Sequence, residues 1–258
     1  MRIASVGHAV FAATLIALGI LGLVQGGFVP IWDSVPKGWP VRELLACLCS
    51  LVCLVCGVGL LFRRTAPAAA RVLFLYLFVW MFLVKVRLIV LMPLVEGAYQ
   101  SWGETAVIVA GAWVLYAWFA ADLDRRRLGF AVGERGVRLA QVLYALALIA
   151  FGLSHFVYVE LTTPLVPGWL PAHTFWAYLT GCTYLAAGAA ILAGIWAKPA
   201  AVLSAWQIGL FLLLVWVPIV AAGNVSAEHW SETIVNVALL AGAWVVADSF
   251  RGKAAPSA

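Results

Sequence analysis

The 258 residues are 65% hydrophobic and only 10% charged, with a mean hydropathy of +1.04, whereas a water-soluble globular domain carries about 25% charge. Such a balance excludes a soluble globule, and the excess of apolar surface excludes a disordered coil. The net charge of +5 comes from 16 Lys+Arg that stand between apolar runs, so it reports membrane topology and gives no nucleic-acid site.

A membrane-crossing helix needs roughly 20 predominantly apolar residues. Eight such runs follow in chain order: Ala9 to Val24, Leu44 to Phe62, Ala68 to Val95, Thr105 to Ala121, Val137 to Val157, Thr174 to Trp196, Ala200 to Ala222 and Thr233 to Ala247. No small-residue cleavage site follows the first run, which is therefore expected to be a retained span. With the N-terminus inside, twelve basic residues, including Arg63, Arg64 and Arg125 to Arg127, fall on the inner side and two, Lys37 and Arg42, on the outer. The positive-inside rule then predicts a multi-pass membrane protein with both termini cytoplasmic.

The strongest organisational signal is an internal repeat. Val35-Pro36-Lys37-Gly38-Trp39-Pro40 corresponds to Val166-Pro167-Gly168-Trp169-Leu170-Pro171, and 171 − 40 = 131. Gly57 and Gly188 keep that offset, as do Gly111-Ala112-Trp113-Val114 and Gly242-Ala243-Trp244-Val245. Trp102-Gly103-Glu104-Thr105 and Trp230-Ser231-Glu232-Thr233 correspond at 230 − 102 = 128. Four spans per half is an even number, so the expected fold is all-α: eight transmembrane helices in two parallel four-helix repeats related by an axis along the membrane normal. The expected units are residues 1–124, a basic cytoplasmic linker at 125–136, a second repeat at 137–250 and a short tail at 251–258.

In the second half, Gly152-Leu153-Ser154-His155-Phe156, the Pro-Trp loop from Val166 to Pro171, Gly181, Gly188 and Lys198-Pro199 resemble the DoxX/DoxD-like family of bacterial four-helix membrane proteins. The first half carries the same pattern in diluted form. The resemblance implies a four-helix unit, here in tandem, and a membrane component of a quinone- or thiol-linked redox system working with an oxidoreductase partner protein. One departure stands at the second helix of the unit, where the family often has an acidic residue between the two glycines. This chain has Tyr184 there and Cys53 in the first half.

Several residues are candidates for chemistry. His155, His173 and His229 gather on the outer side of the second half together with Glu160 and Glu232. A neutral imidazole beside a carboxylate in an apolar pocket exchanges protons near neutral pH, as quinol chemistry requires. His155 and Glu160 are the catalytic candidates, with Trp169, His173, Tyr184 and Glu232 as ligand-binding residues; interfacial hydrogen bonding is the alternative role. Trp39 and Trp169, held by rigid Pro turns, suit the headgroup layer. No metal-ligand spacing occurs.

Lys85 and Arg87 lie inside the third run, where a charge costs several kcal/mol. Two residues apart, they point about 200° from one another on a helix. Arg87 is expected to reach outward toward Glu96 or Glu104, while Lys85 either forms a buried ion pair or gives the first half an anion or quinone-carbonyl site. Cys49, Cys53 and Cys56 share one helix face. Their mid-helix apolar setting and Cβ separations of about 5 to 6 Å favour small packing residues over a redox pair. No Walker loop, dinucleotide glycine pattern or nucleophile elbow is present. Beside membrane redox, two further functions fit the pattern: a small-molecule or lipid transporter using the axis between the repeats, and a scaffold with no site.

Overall fold

The computed structural model describes residues 3–32, 35, 38, 40–223 and 225–250, apart from the Glu228 side chain. Pro36, Lys37 and Trp39 of the first Pro-Trp loop, and the basic tail with Arg251 and Lys253, lie outside the described residues. All regular structure among the described residues is helical. Eight helices are long and apolar enough to cross a membrane: α1 (Val6–Gln25), α2 (Arg42–Leu60), α3 (Ala66–Leu91), α4 (Glu96–Phe119), α5 (Gly133–Val157), α6 (His173–Ala193), α7 (Ala197–Ala221) and α8 (Ala227–Asp248).

Two starts differ from the sequence expectation. α4 begins at Glu96 and α8 at Ala227, several residues before the apolar runs, because the first turns carry polar residues that an apolar count passes over. Ser226 caps α8 by accepting a hydrogen bond from the His229 N–H at 3.1 Å. The basic linker expected at 125–136 is a short helix, Asp122–Arg127, and a turn leading to α5 at Gly133.

The helices follow one another around a closed ring. Each packs on its successor, α1 closes the ring against α8, and α4 crosses the middle to meet α8. Two lobes result: α1, α2 and α3 on one side of the α4–α8 pair, and α5, α6 and α7 on the other. Such close crossings need residues without side chains. At Gly111 a Cβ would lie 2.9 Å from the Gly242 Cα, and at Gly242 a Cβ would lie 2.8 Å from the Val107 carbonyl oxygen. The ring closure is also polar, since the Gly7 N–H donates to the Asp248 carboxylate at 3.0 Å.

Backbone irregularities recur at the sequence offset. Val41 and Ala172, the residues before α2 and α6, adopt left-handed φ of 58° and 56°, and 172 − 41 = 131. The third span of each half contains a π-helical segment, Met81–Val86 in α3 and Leu212–Trp216 in α7, and 212 − 81 = 131. Such wide turns rotate the following residues and often mark functional sites. At the face that carries the chain ends, Arg71 pairs with buried Asp124 at 2.8 Å, and the Tyr116 hydroxyl donates to the same carboxylate at 3.2 Å. Arg138 donates to the Ile191 and Leu192 carbonyls at 2.9 and 2.8 Å, closing the C-terminal turn of α6.

Candidate functional site

The centre of the second lobe holds a cavity of about 480 Å³. Its position follows from the ring: α4, α5, α6, α7 and α8 all turn one face toward it. Phe151, Tyr184, Phe211 and Trp216 supply aromatic walls, and Glu104, His155, His229, Glu232 and Asn236 supply polar ones. The volume suits a small organic molecule.

His155 stands near the C-terminal end of α5. Its Nδ1 lies 2.8 Å from the Phe151 carbonyl. A carbonyl oxygen only accepts, so Nδ1 carries the hydrogen and Nε2 of the neutral ring is an acceptor. Nε2 is buried and has no hydrogen-bond partner. The ring leans on Tyr184 and Phe211, with centroids 5.7 and 6.2 Å away, which fixes its direction. Gly181 makes room for it, because a Cβ there would lie 2.9 Å from the His155 Cβ.

Two further cavity-lining atoms, His229 Nδ1 and Asn236 Oδ1, are buried without partners, as is Glu96 Oε2 just behind the wall. Glu96 is tied to the wall through Ser154, whose hydroxyl stands 3.1 Å from Glu96 Oε1 and 3.2 Å from Gln100 Oε1. Buried polar atoms are rarely left unsatisfied. Several of them around one cavity mark the contacts a guest molecule would make.

Glu104 and Glu232, which correspond at an offset of 128, face each other across the α4–α8 seam and lie within electrostatic reach of one another. Glu104 also senses Lys85 and is hydrogen-bonded by Gln100. Lys85 is buried in the π-helical turn of α3, and its Nζ donates to the Ser101 hydroxyl at 2.8 Å. This ammonium therefore belongs to the first lobe and acts on the cavity through Glu104.

Among the described residues, an aromatic cluster occupies the centre of the first lobe. Trp32, 1% exposed, stands edge-on to Tyr76 and Trp80 at 5.4 and 5.1 Å. Trp80 is offset by 131 from Phe211, a cavity wall. Lys85 corresponds to Trp216 at the same offset, and Ser101 to His229 at 128; the Trp216 and His229 rings lie 6.5 Å apart in the second lobe. Gly22 meets Ser50 where His155 meets Gly181.

The structure brings together His155, Tyr184 and Glu232 from the residues expected from sequence. It does not bring in the others. Glu160 is exposed beside Thr163 and Thr174, outside the His155 cavity, because α5 ends at Val157 and the chain turns at Tyr158 before a new short helix. The carboxylates near His155 are Glu96, Glu104 and Glu232. Trp169 is 71% exposed, and His173 sits half-buried at the start of α6 away from the cavity. Arg87 is exposed and joins no ion pair among the described residues; its expected reach to Glu96 or Glu104 is not seen. Glu104 and His229 were legible as outer-side residues, and the repeated Trp-x-Glu-Thr block signalled Glu104. No sequence signal pointed to Asn236 or Gln100.

Among the described residues, no group of three or more His, Cys, Asp or Glu side chains is arranged to hold a metal. No protein-family model matches the chain, and no curated protein or solved structure is similar to it.

Proposed function

We propose that the chain is a DoxX-like inner-membrane component of a quinone-linked redox system, built from two parallel four-helix repeats, and that the second-lobe cavity holds the quinol head group. Recurrence of the left-handed caps and the π-helical segments at 131 supports the repeat. Basic residues at the face of the chain ends support cytoplasmic termini. That arrangement sets the cavity toward the outer leaflet, within reach of a lipophilic molecule partitioned in the bilayer. Electrons pass to a separate oxidoreductase protein.

The observation that supports quinol binding is the buried, partnerless His155 Nε2 in an aromatic-walled cavity. An imidazole acceptor takes a hydrogen bond from a quinol hydroxyl and, on proton transfer, passes charge toward the nearby carboxylates. A thiol-linked role has less support, because Cys49, Cys53 and Cys56 are buried in the first lobe and Cys49 accepts the Tyr76 hydroxyl at 2.6 Å. Isothermal titration of the detergent-solubilised protein with a short-chain benzoquinol tests the assignment. Saturable binding weakened in His155→Ala is expected, whereas no binding in the wild type overturns it. Flux of a labelled solute into vesicles without quinol binding favours the transporter, for which the carboxylate pair beside Lys85 is the supporting feature.

A further inference from the structure

The two lobes place equivalent helices around different centres, and the difference shows what shape the cavity receives. Gly19 on α1 and Gly152 on α5 make equivalent crossings. A Cβ at Gly19 would stand 2.7 Å from the Ser50 carbonyl oxygen and 2.7 Å from the Leu54 Cβ, and one at Gly152 would stand 2.9 Å from the Gly181 carbonyl oxygen and 2.6 Å from the Leu185 Cγ. Ser50 and Leu54 precede Gly181 and Leu185 by 131, while 152 − 19 = 133. The outer strap that leads from α1 to α2 is therefore two residues longer than the one from α5 to α6. Both straps contain a short 3-10 turn, Pro30–Trp32 in the first and Thr163–Leu165 in the second, and 163 − 30 = 133. Trp32 thus corresponds to Leu165, which lines the cavity.

The surroundings of the Trp32 ring correspond as well. Trp80, edge-on to it at 5.1 Å, is the counterpart of Phe211, and Cys53, whose thiol lies beside it, is the counterpart of Tyr184, both at 131. Phe211 and Tyr184 are cavity walls. The longer strap lets the first lobe bring an indole of its own, 1% exposed, to the place that the second lobe keeps as a cavity. Leu165 lacks the two fused rings that would fill it. The walls are suited to replace them, since Phe151 and Tyr184 stand edge-on with centroids 5.9 Å apart, and aromatic contacts add to the burial of apolar area.

We propose that the cavity takes a flat fused-ring aromatic head group, a hydroxylated naphthalene, seated among Leu165, Tyr184 and Phe211 where the first lobe seats Trp32, with its hydroxyl donating to His155 Nε2. The proposal deepens the quinol assignment by naming the ring system, and it rests on that reading for the cavity; the shape of the guest comes from Trp32.

2-Naphthol and 4-tert-butylphenol carry the same number of carbons and one hydroxyl each, so the hydrogen bond is matched and the flat second ring sets them apart. Isothermal titration of the detergent-solubilised protein is expected to show naphthol binding more tightly by about threefold to tenfold, the effect of one aromatic contact. Leu165→Trp, which gives the second lobe the residue of the first, is expected to remove naphthol binding. A circular dichroism melt matching the wild type shows that the variant is folded; should it fail to fold, Thr162→Trp, from the same wall, is read in its place. Equal affinity for the two phenols overturns the proposal, as does naphthol binding that survives in the folded Trp variant or is missing from the wild type. Benzoquinol binding weakened by His155→Ala, with no preference for naphthol, defeats the fused-ring seat and leaves the quinol assignment standing. A naphthol preference lost in the Trp variant, with no binding of benzoquinol or 1,4-naphthoquinol, does the opposite.

Discussion

Replacing Gly242 with alanine tests the seam on which the cavity depends. The new methyl carbon would stand 2.8 Å from the Val107 carbonyl oxygen, 3.2 Å from its carbon and 3.3 Å from the Ile108 Cα. Carbon atoms in ordinary contact are about 3.5 to 4.0 Å apart, and the atoms met are backbone, so α4 and α8 must separate by several tenths of an ångström. Overpacking of this kind costs about 1 to 3 kcal/mol, and alanine returns up to about 1 kcal/mol through helix propensity. The net loss is about 1 to 2 kcal/mol, or a fall in Tm of roughly 2 to 8 °C at this chain length. Gly111→Ala is expected to act alike, because its Cβ would meet the Gly242 Cα at 2.9 Å. Glu104 lies seven residues from Gly111, about 10 Å along the helix, so the same separation weakens ligand binding. Fluorescence-detected unfolding in detergent reads the stability. Gly209→Ala is the control, since its Cβ would meet nothing nearer than the flexible Leu240 side chain at 3.4 Å. A Gly242→Ala protein as stable as that control would refute the close crossing.

Lys85→Met removes the donor to Ser101 and the ammonium beside Glu104, and a loss of about 2 to 4 kcal/mol is expected; adding Glu104→Gln should restore part of it, and a neutral Lys85→Met would rule out a compensating charge. Asp124→Ala leaves Arg71 and Tyr116 without their shared acceptor. Because Arg71 is partly solvated, the cost is set at about 2 kcal/mol, and the melt should show it. Cys47 and Cys182 are exposed while Cys49, Cys53 and Cys56 are buried, and Cys182 lies at the middle of α6, where exposure means lipid; a maleimide should therefore spare the three buried thiols in the folded protein and label all five after denaturation. A disulfide between Cys53 and Cys56 found by mass spectrometry would contradict their packing role.

The eight spans were legible because each needs a long apolar run, and only the polar first turns of α4 and α8 escaped, since an apolar count begins after residues such as Glu96 and Glu104. The offset of 131 carried unusual detail. It pairs Lys85 with Trp216 and anticipates that the two lobes differ in their centres. What it could not anticipate is that Trp32 folds back among Tyr76 and Trp80 of the first lobe, a tertiary choice with no local pattern. That Glu160 lines a different pocket from His155 has a related cause. Charge patterning reports the side of a membrane, whereas a site depends on angular position around a helix. Glu160 follows a break at Tyr158 and turns away, while Glu104, which a period-3.6 reading of a longer α4 would have aimed inward, faces the cavity. The π-helical segments were equally hidden, since one extra residue in a turn leaves no mark in an apolar run.

The most direct test of the central claim, that the second-lobe cavity is a binding site for a lipophilic small molecule, is native mass spectrometry of the protein extracted in mild detergent, run beside His155→Ala and the exposed-surface control Trp169→Ala. A stoichiometric non-phospholipid adduct, retained in Trp169→Ala and lost in His155→Ala, is the predicted result. Ordinary phospholipid alone, or an adduct indifferent to His155, would contradict it.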